Sequence, residues 1–165
     1  MAESTCPSCG LRATRKAGLP AAPLPASPEC WEKFGELNSY DLRSASQDFP
    51  HQISADVYTA QHPGHPTKRI SLWFALAGLY LLLEAGWTGR QVQFAHGRLA
   101  HLDKVGPALT TVVRQNAPTV HDVLGADHGS ERDAARLAWA GAVWRTWEPY
   151  HAQIAARLPP LHRLQ

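Results

Sequence analysis

The chain has 165 residues, of which 44% are hydrophobic and 18% charged, with 16 basic and 14 acidic side chains giving a formal charge of +2. That length suits one domain of ordinary size, and the apolar share argues against a wholly disordered chain. The near-balanced charge argues against the broad electropositive field of a nonspecific nucleic-acid binder, and Arg12, Arg15 and Lys16 read as a solvated arm.

The longest apolar run, Ile70 to Leu83, stops at Glu84 and is shorter than the ~20 residues a bilayer span needs, so no membrane helix is expected. No secretory signal is visible, and the expected location is the cytoplasm. The chain carries three cysteines. An odd number cannot all pair internally, and closely spaced thiols in a reducing compartment favour metal over disulfides. Arg outnumbers Lys and Ala, Leu and Pro are frequent, a composition that suits a GC-rich bacterial genome.

In chain order, residues 1–26 hold a Cys6-Pro7-Ser8-Cys9-Gly10 knuckle and an extended connector rich in Ala and Pro; residues 27–165 are expected to form a helical bundle, the whole being a single domain. Ser27 is a helix cap with Pro28 in the first turn, and Trp31, Phe34, Leu37 and Leu42 mark the buried face of a first helix running to about Ala45. Asp48-Phe49-Pro50 breaks it. A second helix spans about Gln52 to Gln61 and stops at His62-Pro63-Gly64.

The third helix, Thr67 to Ala85, is apolar on all sides and should be the core, with Gly86 as its stop. Thr88 caps a fourth helix to about Leu102, and a short strand is expected at Leu109 to Arg114. Thr119 with Asp122 predicts a brief helical turn. Ser130 with Asp133 starts a final helix to Leu158, bent near Pro149, with Leu137, Gly141, Trp144, Trp147, His151, Ile154 and Leu158 on one face. The expected fold is mainly α: an irregular bundle of about five helices with an N-terminal metal-bound knuckle.

Zinc prefers thiolate and imidazole in a tetrahedral shell, and the knuckle supplies two thiolates from one turn. Cys30 is the expected third ligand. If the first two helices form an antiparallel hairpin, Cys30 at the start of one and His62 at the end of the other meet at the same end, making His62 the favoured fourth ligand over His51, His65 and His151. One Zn2+ is expected, with another transition metal as the alternative. A closed site of this kind would pin the N-terminal arm to the bundle.

A second constellation, Asp56, Tyr58, Gln61, His62 and His151, has the chemistry to bind a small polar molecule or move protons, with Asp56 and His151 as acid-base candidates and Tyr58, Gln61 and Trp147 as binding candidates. The plainer readings are that Asp56 is a hydrogen-bonded helix residue or orients a metal-bound imidazole, and that His151 is a satisfied core histidine. Trp31, Trp73, Trp139, Trp144 and Trp147 read as core, and His96, His101, His121 and His128 as surface or loop residues.

The segments CPSCG, SPECW, HQISADVYTAQHPG and VWRTWEPYH together resemble an uncharacterised family of small bacterial proteins across most of the chain. The resemblance marks Cys6, Cys9, Cys30, His51, Asp56, Tyr58, Gln61, His62, Trp147 and His151 and implies no activity. The chain departs from the family pattern at Ser54-Ala55 and in having Tyr150 where a histidine is expected. Two functional readings follow: a zinc-binding helical protein with a small-ligand pocket in a binding or regulatory role, or a metal-dependent enzyme with an open site acting on a small molecule.

Overall fold

A computed structural model of the chain describes residues 2–44, 46–64, 69–110 and 116–165. Among these the fold is mainly α. Strands β1 (Glu3–Thr5) and β2 (Arg12–Thr14) form a two-stranded antiparallel ladder, followed by α1 (Pro28–Arg43), α2 (Pro50–Gln61), α3 (Arg69–Leu83), α4 (Gly89–Leu102), α5 (Val120–Gly125), α6 (Ser130–Thr146) and α7 (His151–Arg157). No helix is long and apolar enough to cross a membrane among the described residues.

Local signals set most of these boundaries. The Ser27 side chain accepts the Cys30 backbone N–H at 3.2 Å, opening α1. Complete capping boxes open α4 at Thr88/Gln91 and α5 at Thr119/Asp122. Helix α2 begins at Pro50, two residues before the expected start, because Phe49 takes a left-handed conformation (φ 51°) that turns the chain and Pro50 has the φ of a first helical residue. Gly86, with φ 71°, follows the end of α3 as anticipated.

Helix α2 is the hub, packing against α1, α3, α4 and α6. Helix α3 supplies much of the apolar centre through Trp73, Leu76, Leu79 and Leu81, while Trp139, Val143 and Trp147 from the α6 region and Ile154 from α7 complete it.

Several expectations need correction. The final helix is two helices: α6 ends at Thr146, a 3-10 turn spans Glu148–Tyr150, and α7 restarts at His151. Pro149 causes the break, since it lacks the N–H that would continue the ladder. Helix α6 buries Trp144 as expected but shifts the rest of its buried face away from Leu137. Leu137 is 48% exposed, while Arg132, Arg136, Trp139, Ala140, Val143 and Trp144 point inward. Leu42 is likewise exposed and its neighbour Asp41 is buried.

The two-stranded ladder was not expected, and His96 is not a surface residue, its side chain being 15% exposed. Leu109 and Thr110 adopt no regular structure; the rest of the expected strand, like the Thr67 start of the third helix and Ala45 at the end of the first, lies outside the described residues.

Arg136 explains the rotated faces. Its guanidinium reaches Asp41 Oδ1 on α1 at 2.5 Å, Ser54 Oγ on α2 at 2.9 Å and Asp133 Oδ1 at 2.5 Å, while the Ser54 hydroxyl donates to Asp41 Oδ2 at 2.6 Å. Arg136, Asp41 and Ser54 are all buried. Burial raises the Asp41 pKa despite the guanidinium and hydroxyl that pull it down. This network ties α1, α2 and α6 together through polar groups that an apolar periodicity cannot reveal.

Candidate metal centre

The knuckle sits between the two strands. Cys6 follows β1, its N–H donates to Leu11 O at 2.8 Å, and the Gly10 N–H donates to Cys6 O at 3.0 Å, closing a turn in which Gly10 takes φ 77°. This turn points Cys6 and Cys9 at the N-terminus of α1, where Cys30 lies in the first turn. Helices α1 and α2 pack together, and His62 stands immediately after the last residue of α2. Cys6, Cys9, Cys30 and His62, all buried, thus bring their ligand atoms within 4.8 Å of one another.

The spacings test whether a metal fits. With zinc–sulfur bonds of ~2.3 Å and zinc–nitrogen bonds of ~2.0 Å, a tetrahedral shell separates sulfurs by about 3.8 Å and sulfur from nitrogen by about 3.5 Å. Here Cys9 Sγ and Cys30 Sγ are 3.7 Å apart, and His62 Nε2 is 3.5 Å from both Cys6 Sγ and Cys30 Sγ. These three spacings match tetrahedral edges and the remaining ligand atoms lie within 4.8 Å, so the four residues can hold a metal ion.

Neighbouring contacts orient His62 and Cys30. His62 Nδ1 lies 2.7 Å from Tyr58 O, and since a carbonyl only accepts, Nδ1 carries the proton and Nε2 turns its lone pair to the thiols. Tyr58 stacks on His62 at 4.0 Å and on Phe34 at 4.1 Å, and its hydroxyl donates to Cys30 Sγ at 3.4 Å. Burial and the nearby Cys30 raise the Tyr58 pKa, so the phenol keeps the proton it donates.

The thiols are mutually inconsistent as three anions without a cation. Hydrogen bonds from Cys30 and Cys9 hold Cys6 far below its usual range. Hydrogen bonds to Cys6 and Cys9, with burial, push Cys30 up. At Cys9 the Cys30 contact pulls down, but the Cys6 hydrogen bond and charge, together with burial, push it up to about 12. Burial and mutual repulsion thus oppose ionisation of all three thiols together. A divalent cation would let all three ionise, leaving a net charge of one minus, which the N-terminus of α1 at Cys30 and the Tyr58 O–H can offset.

The other residues singled out in the sequence are dispersed. His51 lies in the first turn of α2, away from the thiols, and burial lowers its pKa. His65 lies outside the described residues. Asp56 faces the opposite way from Tyr58: its Oδ1 accepts from Gln52 Nε2 at 3.0 Å and its Oδ2 is 3.5 Å from His96 Nε2. Gln61 spans Pro118 O and Trp139 Nε1, and Trp147 Nε1 donates to Ala60 O. His151 stacks on Trp144 at 3.8 Å with Nε2 3.0 Å from Trp144 O.

Asp56 and His151 are therefore not brought together, whereas Tyr58 packs against His62 and Cys30 of the cluster. His96 was missed as the residue facing Asp56, with Asp56 Oδ2 and His96 Nε2 3.5 Å apart and both buried without a hydrogen-bond partner among the described residues. No sequence signal pairs them; in the fold Gly78 on α3 leaves room for both, since a Cβ there would lie 2.0 Å from Asp56 Oδ2 and 3.0 Å from His96 Nε2.

A model of a family of unknown function, DUF5946, matches residues 4–148, which include all four clustered residues. No curated protein and no solved structure matches the chain.

Proposed function

The chain belongs to that family of unknown function, and we propose that it is a small zinc-binding helical protein of the cytoplasm, acting through binding or regulation, in which the ion is a structural fastener. The observation that carries this reading is the agreement of the Cys9–Cys30, Cys6–His62 and Cys30–His62 spacings with the edges of a tetrahedral zinc shell. Four protein ligands leave no position for substrate, and three thiolates make the ion a weak Lewis acid. This weighs against the alternative of a metal-dependent enzyme with an open site.

What the fastener holds is the arm of residues 2–26. Apart from the thiols, the arm is held by Leu11, Leu24 and Ala26 packed on the core, by the Lys16 N–H bond to Glu29 Oε1 at 3.0 Å and by the solvent-exposed Lys16–Glu32 ion pair. Exposed pairs contribute about 0–1 kcal/mol, whereas structural zinc contributes roughly 10–16 kcal/mol in zinc-finger peptides. The test is hydrogen exchange on the zinc-loaded protein before and after chelation. Loss of amide protection concentrated in the arm and at the facing ends of α1 and α2 is the expected result. Unchanged protection there would contradict a structural role.

A further inference from the structure

The three sulfurs of the centre face different donors. Backbone N–H groups of Cys9 and Leu11, in the knuckle, lie against the sulfurs of Cys6 and Cys9. Cys30 stands at the start of a helix where nearby amides are engaged elsewhere: its own N–H donates to Ser27 Oγ at 3.2 Å and the Trp31 N–H to Ser27 O at 3.0 Å. The Cys30 sulfur instead accepts the Tyr58 hydroxyl at 3.4 Å. Among the described residues Tyr58 is the one side chain outside the four ligands that hydrogen-bonds a ligand sulfur.

Tyr58 also holds the imidazole. Its carbonyl accepts the His62 Nδ1–H at 2.7 Å, and its ring stacks on that of His62 with centroids 4.0 Å apart. Phe34 stacks on the phenol at 4.1 Å and Trp31 lies at 5.9 Å, so the ring is fixed on α2 by the first turns of α1. The phenol is fully buried, and without the Cys30 sulfur its hydroxyl would be an unpaired donor in the core. One residue of α2 therefore bonds a thiol ligand and an imidazole ligand at once.

We propose that Tyr58 is the positioning residue of the metal centre, its hydroxyl moderating the Cys30 thiolate while its carbonyl and ring set the orientation of His62. This rests on the metal reading above and goes beyond it, because it assigns the character of one metal–sulfur bond to a side chain outside the ligand shell. Outer-shell partners of metal ligands typically change metal affinity by about 10–100-fold.

The experiment loads the full chain with Co2+ in place of zinc and compares wild type with Tyr58→Phe, which keeps the ring and the carbonyl and removes only the hydroxyl. Wild type should show sulfur-to-cobalt charge-transfer bands together with the ligand-field bands of a tetrahedral ion. Tyr58→Phe should still bind one cobalt per chain, with the charge-transfer bands moved to lower energy, since a thiolate without its hydrogen bond gives up an electron more readily. Its zinc affinity, read by competition with a chelator, should fall by about tenfold or more. A second measurement needs no substitution: in the wild-type chain loaded with NMR-active cadmium, the Tyr58 hydroxyl proton should be protected from exchange and coupled to the metal through the Cys30 sulfur.

Charge-transfer bands that stay in place in Tyr58→Phe would overturn the proposal, because a phenol that serves packing alone lowers thermal stability without moving them. A Tyr58 hydroxyl proton in rapid exchange with water would overturn it as well, and that result decides the matter if the Phe variant does not fold. Wild-type protein that takes up no cobalt, or cobalt without tetrahedral bands, would instead sink the metal reading itself and the proposal with it.

Discussion

Replacing Arg136 with Met keeps most of the side-chain volume but removes the guanidinium that joins three helices. Asp41 then keeps only the Ser54 hydroxyl, at 2.6 Å, inside a site where Asp41 and Ser54 are 3% and 0% exposed. Removing one partner of a buried ion pair costs roughly 3–5 kcal/mol, and the lost contact to Asp133, which is 63% exposed, adds at most about 1 kcal/mol. Against a typical total of ~5–15 kcal/mol, that loss should be plain in urea unfolding followed by circular dichroism.

The pH dependence has a definite sign. Burial already raises the Asp41 pKa, and loss of Arg136 raises it further. A carboxyl whose folded pKa lies above its unfolded value contributes stability below the unfolded value and loses it as pH rises through the folded one, so the deficit of the Met variant should grow from acid toward neutral pH. The double variant Asp41→Leu/Arg136→Met removes both charges and should recover most of the loss. A deficit below about 1 kcal/mol for Arg136→Met, or a double variant as unstable as the single, would refute the reasoning.

Three further outcomes follow from other parts of the molecule. Cys30→Ser should lose the metal and lower thermal stability, whereas Asp56→Asn should keep a full metal complement by elemental analysis; equal loss in both would make Asp56 a support of the metal site. Burial lowers the His96 pKa from 6.5 to about 4, so its neutral form contributes stability above about 6.5 that is lost as pH falls through about 4; the drop, at most about 3 kcal/mol, should shrink in His96→Gln when unfolding is followed across that range, with the raised Asp56 carboxyl acting in the opposite sense. Gly78→Ala should destabilise by about 1–3 kcal/mol, less the helix propensity it gains, because its Cβ would overlap Asp56 Oδ2; a more stable variant in thermal melting would contradict that packing.

The parts of this protein that are legible in its sequence are those determined by nearby residues. Ser27-Pro28, Thr88 and Thr119 announce helix starts because capping is a three-residue interaction. The gathering of Cys6, Cys9, Cys30 and His62 follows from one turn and one helix hairpin, so spacing and topology suffice to anticipate it. Arg136 and Asp41 mislead because their burial depends on partners 95 positions apart, and a charged residue on a helix is otherwise read as its outer face. His96 fails for the same reason, the Asp56 it faces lying on another helix. The three-residue strands are too short to show alternation, and Pro149 can be read as a bend or a break until the chain around it is seen.

The most direct test of the metal centre is X-ray absorption at the metal edge of the purified protein, combined with elemental mass spectrometry. One zinc per chain, with three sulfur neighbours at ~2.3 Å and one nitrogen at ~2.0 Å, is the predicted result. Fewer sulfurs with an oxygen neighbour would open the shell and make the ion a centre of chemistry, and a protein that holds no metal at all would contradict the account.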